Sequence, residues 1–423
     1  MHFRELRGSN KASPLIFALF NLLIIYSVNK ISDLPVWVKN WETKASQIAS
    51  LQLPTDNFYP PGSAILLVPF LWNEPDYKIA VFFYFVAASI LYYLICRSLI
   101  PSKNLRLVAL LAFSLNPYLV WLVNSSQDTV FELFLVLSGS ALLVSKRYVL
   151  SFFPFYMLCL TRPAYWVFFL ILPIAIRIFK FKDLQESKIN IGKMLIPYTF
   201  LLMTFGLNQL VFSTPSLANE TGLTAQFSHN KYFYLSMPKF DMDVFLSKGG
   251  NMEPEKVLVG TDRFIQIKDE NMRAALISII ENPKSVALNT LQKADSYLFS
   301  VQKNPQLPGE YYLSPDQKSI IIGDERLSWT LILGNIGYFI YRALLQVFFI
   351  IAATLYFASP RIRKQIRKTN SFLLLAPFIC GLIPGLLFYT ESRFKVVAEL
   401  LLVPLIIMIM NEFRNPRRSE IDI

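Results

Sequence analysis

Residues 78–97 read KIAVFFYFVAASILYYLICR, and this stretch decides the class of protein. No charged residue lies between Lys78 and Arg97, and an α-helix needs about 20 apolar residues to cross a bilayer. Of the 423 residues in the chain, 54% are hydrophobic and 17% are charged. Soluble domains are nearer about 25% charged, so the composition argues against a water-soluble globule and against a disordered chain.

Further apolar runs on both sides of this stretch predict an all-α polytopic membrane protein with about ten transmembrane helices. The long runs are 14–29, 78–97, 106–123, 129–145, 193–213, 329–357, 371–389 and 395–411. Two shorter runs, 148–160 and 164–178, flank Thr161-Arg162-Pro163. We expect these two runs to form a hairpin of two spans with that tripeptide at its tip.

The charges indicate how the chain is oriented. The chain has 41 Lys and Arg against 29 Asp and Glu, a net charge of +12. In a soluble protein this excess would suggest nucleic acid, but here the basic residues gather in alternate connections between apolar runs. The positive-inside rule then predicts cytoplasmic N- and C-termini, the lipid bilayer as a partner, and no nucleic acid. The modest size favours the inner membrane of a bacterium.

This orientation divides the chain into three regions. Residues 1–213 form a transmembrane module that contains a first exterior loop at 30–77, and residues 329–423 form C-terminal helices with a cytoplasmic tail. Residues 214–328 form an exterior region with 14 acidic and 12 basic residues. Its near-balanced charge contrasts with the basic remainder of the chain.

The exterior region contains two predicted amphipathic helices, packed on the membrane domain or lying at the membrane surface. The first covers residues 271–280. The second begins at Asn282-Pro283, because asparagine is a good N-cap and proline is favoured at the first helical position. Helical spacing places four apolar residues of the second helix on one face: Ala287, Leu291, Ala294 and Leu298.

Ionisable groups near the exterior ends of the spans are the candidates for chemistry. Glu42 and Asp56 lie in the first exterior loop, on either side of a polar stretch. A rigid turn at 58–63 that reads FYPPGS follows them. Two solvated loop acids would be the simple alternative. Asp128 begins a predicted helix, where it is either a cap that the helix dipole favours or a functional acid.

Two basic positions face the same side. Arg162 at the hairpin tip needs a partner, which is either Asp128 or the phosphate of a ligand, since a guanidinium matches phosphate oxygens. The segment 391–395, ESRFK, joins the last two predicted spans, and its alternative role is an interfacial anchor.

No metal centre is predicted from the three cysteines and two histidines, because the cysteines lie in apolar runs and the histidines are far apart in the sequence. No cofactor is assigned, and assistance from a divalent cation is left open. A nucleotide-binding loop of the GxxxxGK type is also absent from the sequence.

The order of these motifs along the chain, and the side of the membrane predicted for them, resemble those of the GT-C superfamily of polytopic glycosyltransferases. This superfamily includes protein O-mannosyltransferases and aminoarabinose transferases. The matching positions are Glu42, the aromatic-Pro-Pro-Gly turn at 58–62, Asp128, Arg162-Pro163 and the segment Glu391-Ser392-Arg393-Phe394-Lys395. The chain departs from the pattern with Glu42 where aspartate is usual and with Lys395 where many members have arginine. These departures leave open whether Glu42 or Asp56 is the base.

The resemblance implies an enzyme that moves a sugar from a polyprenyl-phosphate-linked donor to a hydroxyl of a glycan, lipid or protein acceptor on the exterior face, with inversion. Glu42 or Asp56 would be catalytic. Three cations would bind the donor phosphate: Arg162, Arg393 and Lys395. Five residues would shape the cleft: Tyr59, Pro60, Pro61, Asp128 and Glu391.

Two other functions compete with this one. A lipid-carrier polysaccharide polymerase or ligase has a similar number of spans and one large exterior loop, and would depend on basic residues in that loop. A membrane transporter would show inverted repeats or charges buried at mid-membrane. The sequence shows no such repeat, and we expect the ionisable groups at the span ends.

Overall fold

The structure of the chain is a computed structural model. It describes residues 13–27, 38–52, 60–71, 77–124, 128–179, 191–213, 229, 262–298, 311–313, 320–322, 329–368, 371–375, 377–378, 382, 386 and 392–414. The described residues are predominantly helical, which confirms the helical class that the apolar runs predict.

The N-terminal half consists of ten helices within the described residues. They are α1 (Ser13–Ser27), α2 (Val38–Ala49), α3 (Gly62–Leu67), α4 (Tyr77–Leu99), α5 (Lys103–Ser114), α6 (Pro117–Asn124), α7 (Thr129–Val144), α8 (Tyr148–Thr161), α9 (Trp166–Phe179) and α10 (Ile191–Phe212). Short 3-10 turns at Val68–Phe70 and Pro163–Tyr165 extend α3 and join α8 to α9. The two runs that flank Arg162 are therefore helical, as α8 and α9, and their crossing of the membrane as two spans stays a prediction.

The second half of the chain adds five helices and two short strands in its described part. The helices are α11 (Asp262–Glu281), α12 (Pro283–Leu298), α13 (Trp329–Ala358), α14 (Pro360–Lys368) and α15 (Ser392–Arg414). The strands β1 (Tyr311–Leu313) and β2 (Ile320–Ile322) pair antiparallel, with Tyr311 opposite Ile322. This hairpin is not predicted from the sequence.

Four helices are long and apolar enough to cross a membrane, counted over the described residues. These segments are Tyr77–Leu99, Gly192–Phe212, Ile340–Ala358 and Val396–Arg414. Four shorter apolar helices accompany them, at Ser13–Ser27, Thr129–Val144, Tyr148–Thr161 and Pro163–Ile178. The chain thus has the helices of a membrane protein, while the number of about ten spans and the orientation stay predictions.

One predicted span is wrong as a continuous helix. The run 106–123 is split into α5 and α6, which end and begin on either side of Leu115 and Asn116. Asn116 caps α6, because the Leu119 N–H donates to its Oδ1 at 3.2 Å, and Pro117 takes the first helical position. Of the predicted run 371–389, the structure describes residues 371–375, 377–378, 382 and 386, which include a 3-10 turn at Ser371–Leu374.

The core of the bundle forms where α4 packs against α1 and α7, and α7 packs against α8. Gly139 makes the α7–α8 approach close, since a Cβ there would collide with the ring of Phe155. The last helix, α15, packs against α4, α5 and α7. Its residues 396–406 are buried, so α15 is a central helix of the bundle.

A buried ion pair joins the two C-terminal helices. The Arg342 guanidinium of α13 donates to a Glu399 carboxylate oxygen of α15, and both side chains are almost fully buried. Arg342 lies in the middle of the predicted span 329–357. The expectation that ionisable groups are confined to span ends is therefore wrong.

Of the two helices predicted between residues 214 and 328, the second begins where the sequence predicts but buries a different face, whereas the first begins earlier, since α11 covers Asp262–Glu281 and not 271–280 alone. α12 starts at Pro283, and the Asn282 carbonyl accepts a hydrogen bond from the Val286 N–H at 3.0 Å. Leu291 of the predicted apolar face is 67% exposed, whereas Asn289 and Lys293 are buried. Packing on the membrane domain through the predicted face is thus not seen, and a position at the membrane surface stays a prediction.

Candidate functional site

Arg162 forms ion pairs with two carboxylates at the start of α7. Its Nη2 donates to Asp128 Oδ1 at 2.9 Å, and its Nε donates to Glu132 Oε2 at 3.2 Å. Arg162 is placed between α8 and the 3-10 turn, in extended conformation, because Pro163 disfavours a helical residue before it. The side chain of Arg162 is 21% exposed, against 5% for Asp128 and 1% for Glu132.

Tyr165 completes the environment of Glu132. The Tyr165 hydroxyl donates to Glu132 Oε1 at 2.7 Å, so both oxygens of this buried carboxylate accept hydrogen bonds. A buried charge is tolerated only when it is paired and hydrogen-bonded. One guanidinium and one phenol thus hold Glu132 in a fixed orientation.

Of the alternatives for Asp128, the helix cap is not observed. The Asp128 side chain makes no capping hydrogen bond to α7, although its backbone carbonyl accepts from the Phe131 N–H at 2.9 Å. Its carboxylate instead pairs with Arg162. Asp128 directly precedes the helix, and its charge serves the ion pair.

Tyr77, the first residue of α4, connects this cluster to the segment between α1 and α4. Its ring meets that of Phe131, three residues after Asp128 in α7, with ring centroids 5.6 Å apart. The Trp41 ring of α2 stacks on Tyr77, with ring centroids 6.1 Å apart and planes inclined by 13°. Glu42, the half-buried neighbour of Trp41, is therefore brought to the same end of the bundle as the Arg162 cluster.

The Pro-Pro-Gly turn packs directly on the segment that carries Arg162. At Gly62, a Cβ would collide with both the Leu160 carbonyl carbon and the Thr161 nitrogen. Only a residue without a side chain allows this contact between two backbones. The turn thus fixes the position of the first loop against the end of α8, and the cleft-shaping role of Pro60 and Pro61 stays a prediction.

Two buried donors face this region. Within the described part of the chain, neither the Tyr77 hydroxyl nor the Trp41 indole N–H has a hydrogen-bond partner. Buried polar groups are rarely left without partners, and exceptions concentrate at functional sites. Together with Glu42, these groups offer donors and an acceptor to a polar ligand.

Several predicted site residues fall outside the part of the chain that the structure describes. Asp56, Tyr59 and Glu391 lie outside the described residues. Arg393 and Lys395 belong to the first turn of α15, but their side chains are not described. The structure therefore places Glu42, the Pro-Pro-Gly turn, Asp128 and Arg162 at one end of the bundle, and the catalytic, phosphate-binding and cleft-shaping roles of all the predicted residues stay predictions.

Four residues of the site are not predicted from the sequence: Trp41, Tyr77, Glu132 and Tyr165. Glu132 carried a signal, since it is an acid inside the apolar run 129–145 and four residues after Asp128, on the same helical face. The aromatic residues carried none, because their spacing is that of ordinary packing residues.

The described residues contain no group of three or more metal-ligating side chains close enough to hold an ion. The carboxylates of Asp128 and Glu132 are engaged with Arg162 and Tyr165. What the described cluster offers is the half-buried carboxylate of Glu42 at the end of the bundle where two further acids share the guanidinium of Arg162.

Comparisons with known protein families, curated proteins and solved structures found no match. The resemblance to GT-C glycosyltransferases thus remains a prediction from the motifs.

Proposed function

We propose that the protein is a membrane glycosyltransferase that moves a sugar from a polyprenyl-phosphate donor to an acceptor hydroxyl. The observation that carries the proposal is the position of Tyr77, whose ring packs on Trp41 next to Glu42 and on Phe131 at the start of α7, where Asp128 pairs with Arg162. These residues come from separate parts of the sequence, and the three charged ones are those that the resemblance to GT-C enzymes selects. Four helices able to cross a membrane suit a lipid-linked substrate.

In this proposal Glu42 is the general base. Its carboxylate accepts the proton of the acceptor hydroxyl while the hydroxyl oxygen forms a bond to the anomeric carbon. The bond from that carbon to the phosphate oxygen breaks in the same step, and the polyprenyl phosphate leaves with the electron pair. A single displacement inverts the anomeric configuration.

The cations stabilise the departing phosphate. Arg393 and Lys395 at the start of α15 are the proposed ligands, because charge develops on the phosphate as it leaves. Arg162 uses one edge for Asp128 and Glu132 and is 21% exposed. A phosphate would therefore approach Arg162 from its exposed side while the carboxylates hold the other.

The test is complementation of a deletion strain. Such a strain should accumulate the unused polyprenyl-phosphate sugar and make a truncated envelope glycan, both of which mass spectrometry detects whichever sugar is transferred. Expression of the Glu42→Gln protein should correct neither defect, since general-base help is worth roughly 100- to 10,000-fold. The matched control is Glu281→Gln, which neutralises an exposed acid of α11 and should correct both defects.

Full complementation by Glu42→Gln would remove Glu42 from the scheme and make Asp56→Asn the next variant. A polymerase or ligase would be distinguished by the same experiment. If the protein is a polymerase or ligase, the deletion strain should accumulate a complete lipid-linked repeat unit instead of a single lipid-linked sugar, and the Glu42→Gln protein should be active.

A transporter is the second candidate, and one observation favours it. The Arg342–Glu399 pair is buried between two candidate spans, and ionisable groups inside membranes often mark ion or substrate pathways. Purified protein in liposomes with a trapped pH-sensitive dye tests this function. Proton flux that is lost in Glu399→Gln would favour transport over sugar transfer.

A further inference from the structure

Helix α14 is a strongly basic helix that directly follows a candidate span. Its sequence is PRIRKQIRK, with five basic residues and no acid. One residue, Ser359, separates it from the segment Ile340–Ala358. The helix therefore begins where α13 leaves the membrane.

The apolar face of α14 is turned into the protein. Ile362 and Ile366, one helical turn apart, are almost fully buried in the hydrophobic core, and α14 packs against α13 and α15. The Ile362 N–H donates to Ser359 Oγ at 3.4 Å, and the Ser371 hydroxyl donates to the Ile366 carbonyl at 3.2 Å. The helix is thus held rigidly against the ends of the bundle.

Lys364 lies on the opposite side of the helix from these isoleucines and is exposed, and the sequence continues with Arg367 and Lys368. The Arg363 guanidinium donates to the Phe357 carbonyl, which fixes the corner between α13 and α14. Phe357 itself is 73% exposed at the end of the span, where an aromatic ring suits the membrane interface.

We propose that α14 binds the headgroups of anionic phospholipids. A cluster of about four to eight Lys and Arg next to a transmembrane helix attracts anionic lipid, and this attraction falls off within a Debye length of the surface. The position next to Ala358 keeps the charges of α14 at headgroup level. The proposal is independent of the proposed sugar transfer, because no residue of α14 belongs to the proposed sugar-transfer site.

The experiment uses the full-length protein in lipid nanodiscs. Discs of phosphatidylcholine alone are compared with discs in which part of the lipid is phosphatidylglycerol, and the melting temperature is measured at low and high salt. Phosphatidylglycerol should raise the melting temperature by about 3 °C or more at low salt, because a ligand bound only by the folded state stabilises it. High salt should reduce the rise.

The variant K364Q/R367Q/K368Q should lose most of this rise. The matched control R97Q/K103Q/K193Q removes the same charge at the ends of other helices and should keep it. Equal melting temperatures in the two kinds of disc, or an equal loss in the control, would overturn the proposal. So would an equal rise when inorganic phosphate is added to phosphatidylcholine discs, because a soluble anion would then be the ligand.

Discussion

Gly62 shows how one residue positions the segment between α1 and α4. It begins α3 after Pro60 and Pro61, and its Cα faces the backbone of Leu160 and Thr161. The contact is with backbone atoms, which cannot rotate away as the tip of a side chain can. A larger residue must therefore move α3 away from the segment that carries Arg162.

We expect Gly62→Ala to lower both stability and activity. Overpacking a tight contact costs about 1–3 kcal/mol, and the displaced loop would carry Glu42 away from the cluster. The measurements are the melting temperature in detergent and complementation of the deletion strain.

The control for this variant is Gly206→Ala. Gly206 lies inside α10 with no atom within 4 Å of the position that a Cβ would take, and alanine is the better helix former by about 1 kcal/mol. This variant should be as stable as the parent or more so. A Gly62→Ala protein that melts and complements like the parent would show that the close contact has no role.

At the level of single residues, the sequence predicts the charged members of the site better than the aromatic ones. Asp128 and Arg162 stand out because charges beside apolar runs need partners. Trp41 and Tyr77 do not, since their contact depends on how α2 folds over the start of α4. Such a contact joins residues far apart in the chain, and helical periodicity carries no information about it.

At the level of elements, an asparagine followed by a proline is recognised as a helix start at one place in the sequence and overlooked at another. Asn282-Pro283 correctly predicts the start of α12, whereas Asn116-Pro117 begins α6 inside a run predicted as one span. Both asparagines precede a proline that takes the first helical position. Length alone favoured a single helix at 106–123, and the local cap decides against it.

The buried face of α12 is the element that the sequence predicts least well. Hydrophobic spacing selects Leu291, but the helix buries Asn289 and Lys293. Burial lowers the pKa of Lys293 to about 7. The ordinary pKa of a lysine side chain is 10.5, so the folded state releases this proton at a lower pH than the unfolded state does.

This difference predicts a pH-dependent stability. Between about pH 7 and pH 10 the unfolded chain binds the proton and the folded chain does not, so stability should rise with pH across this window. Below about pH 7 both states are protonated, and the cost of the buried charge is fully present. The melting temperature of the full-length protein at pH 6.5 and pH 9.5 measures the effect.

Lys293→Met should remove this rise, because methionine fills a similar volume without a charge. Lys284→Met, at an exposed lysine of the same helix, is the control and should keep it. An identical pH dependence in the parent and in Lys293→Met would contradict the assignment to Lys293.

For the whole molecule, composition predicts a helical membrane protein but not the number of spans. A helix of 16 residues such as α7 is about 24 Å long, shorter than the hydrocarbon core of about 30 Å. Apolar character therefore marks α7 as buried in the bundle without showing that it crosses the membrane. Hydropathy does not separate these two cases, because both environments exclude water.

The assembly of the C-terminal helices on the bundle depends on a contact that hydropathy does not reveal. Arg342 and Glu399 lie 57 positions apart in the sequence, and their pairing joins α13 to α15. Because α15 also packs on α4, α5 and α7, the pair helps to set how α15 sits in the bundle. The first turn of α15 carries Arg393 and Lys395, so its position matters for the proposed phosphate contacts.

We expect the two charges to act as a unit in folding. Arg342→Met or Glu399→Leu alone should lower the stability by about 3–5 kcal/mol, because each leaves an uncompensated buried charge. The double variant Arg342→Met/Glu399→Leu should recover most of the loss, since a pair of apolar side chains can replace a buried ion pair. Melting temperatures in detergent measure the three variants against the parent.

Complementation then separates structure from chemistry. A double variant that is stable and still restores the envelope glycan assigns the pair to assembly of α13 with α15. A stable double variant that fails to complement would mean that the charges themselves are needed, which favours the transport function. Losses in the single variants that simply add in the double variant would contradict the pairing, because coupled residues do not behave additively.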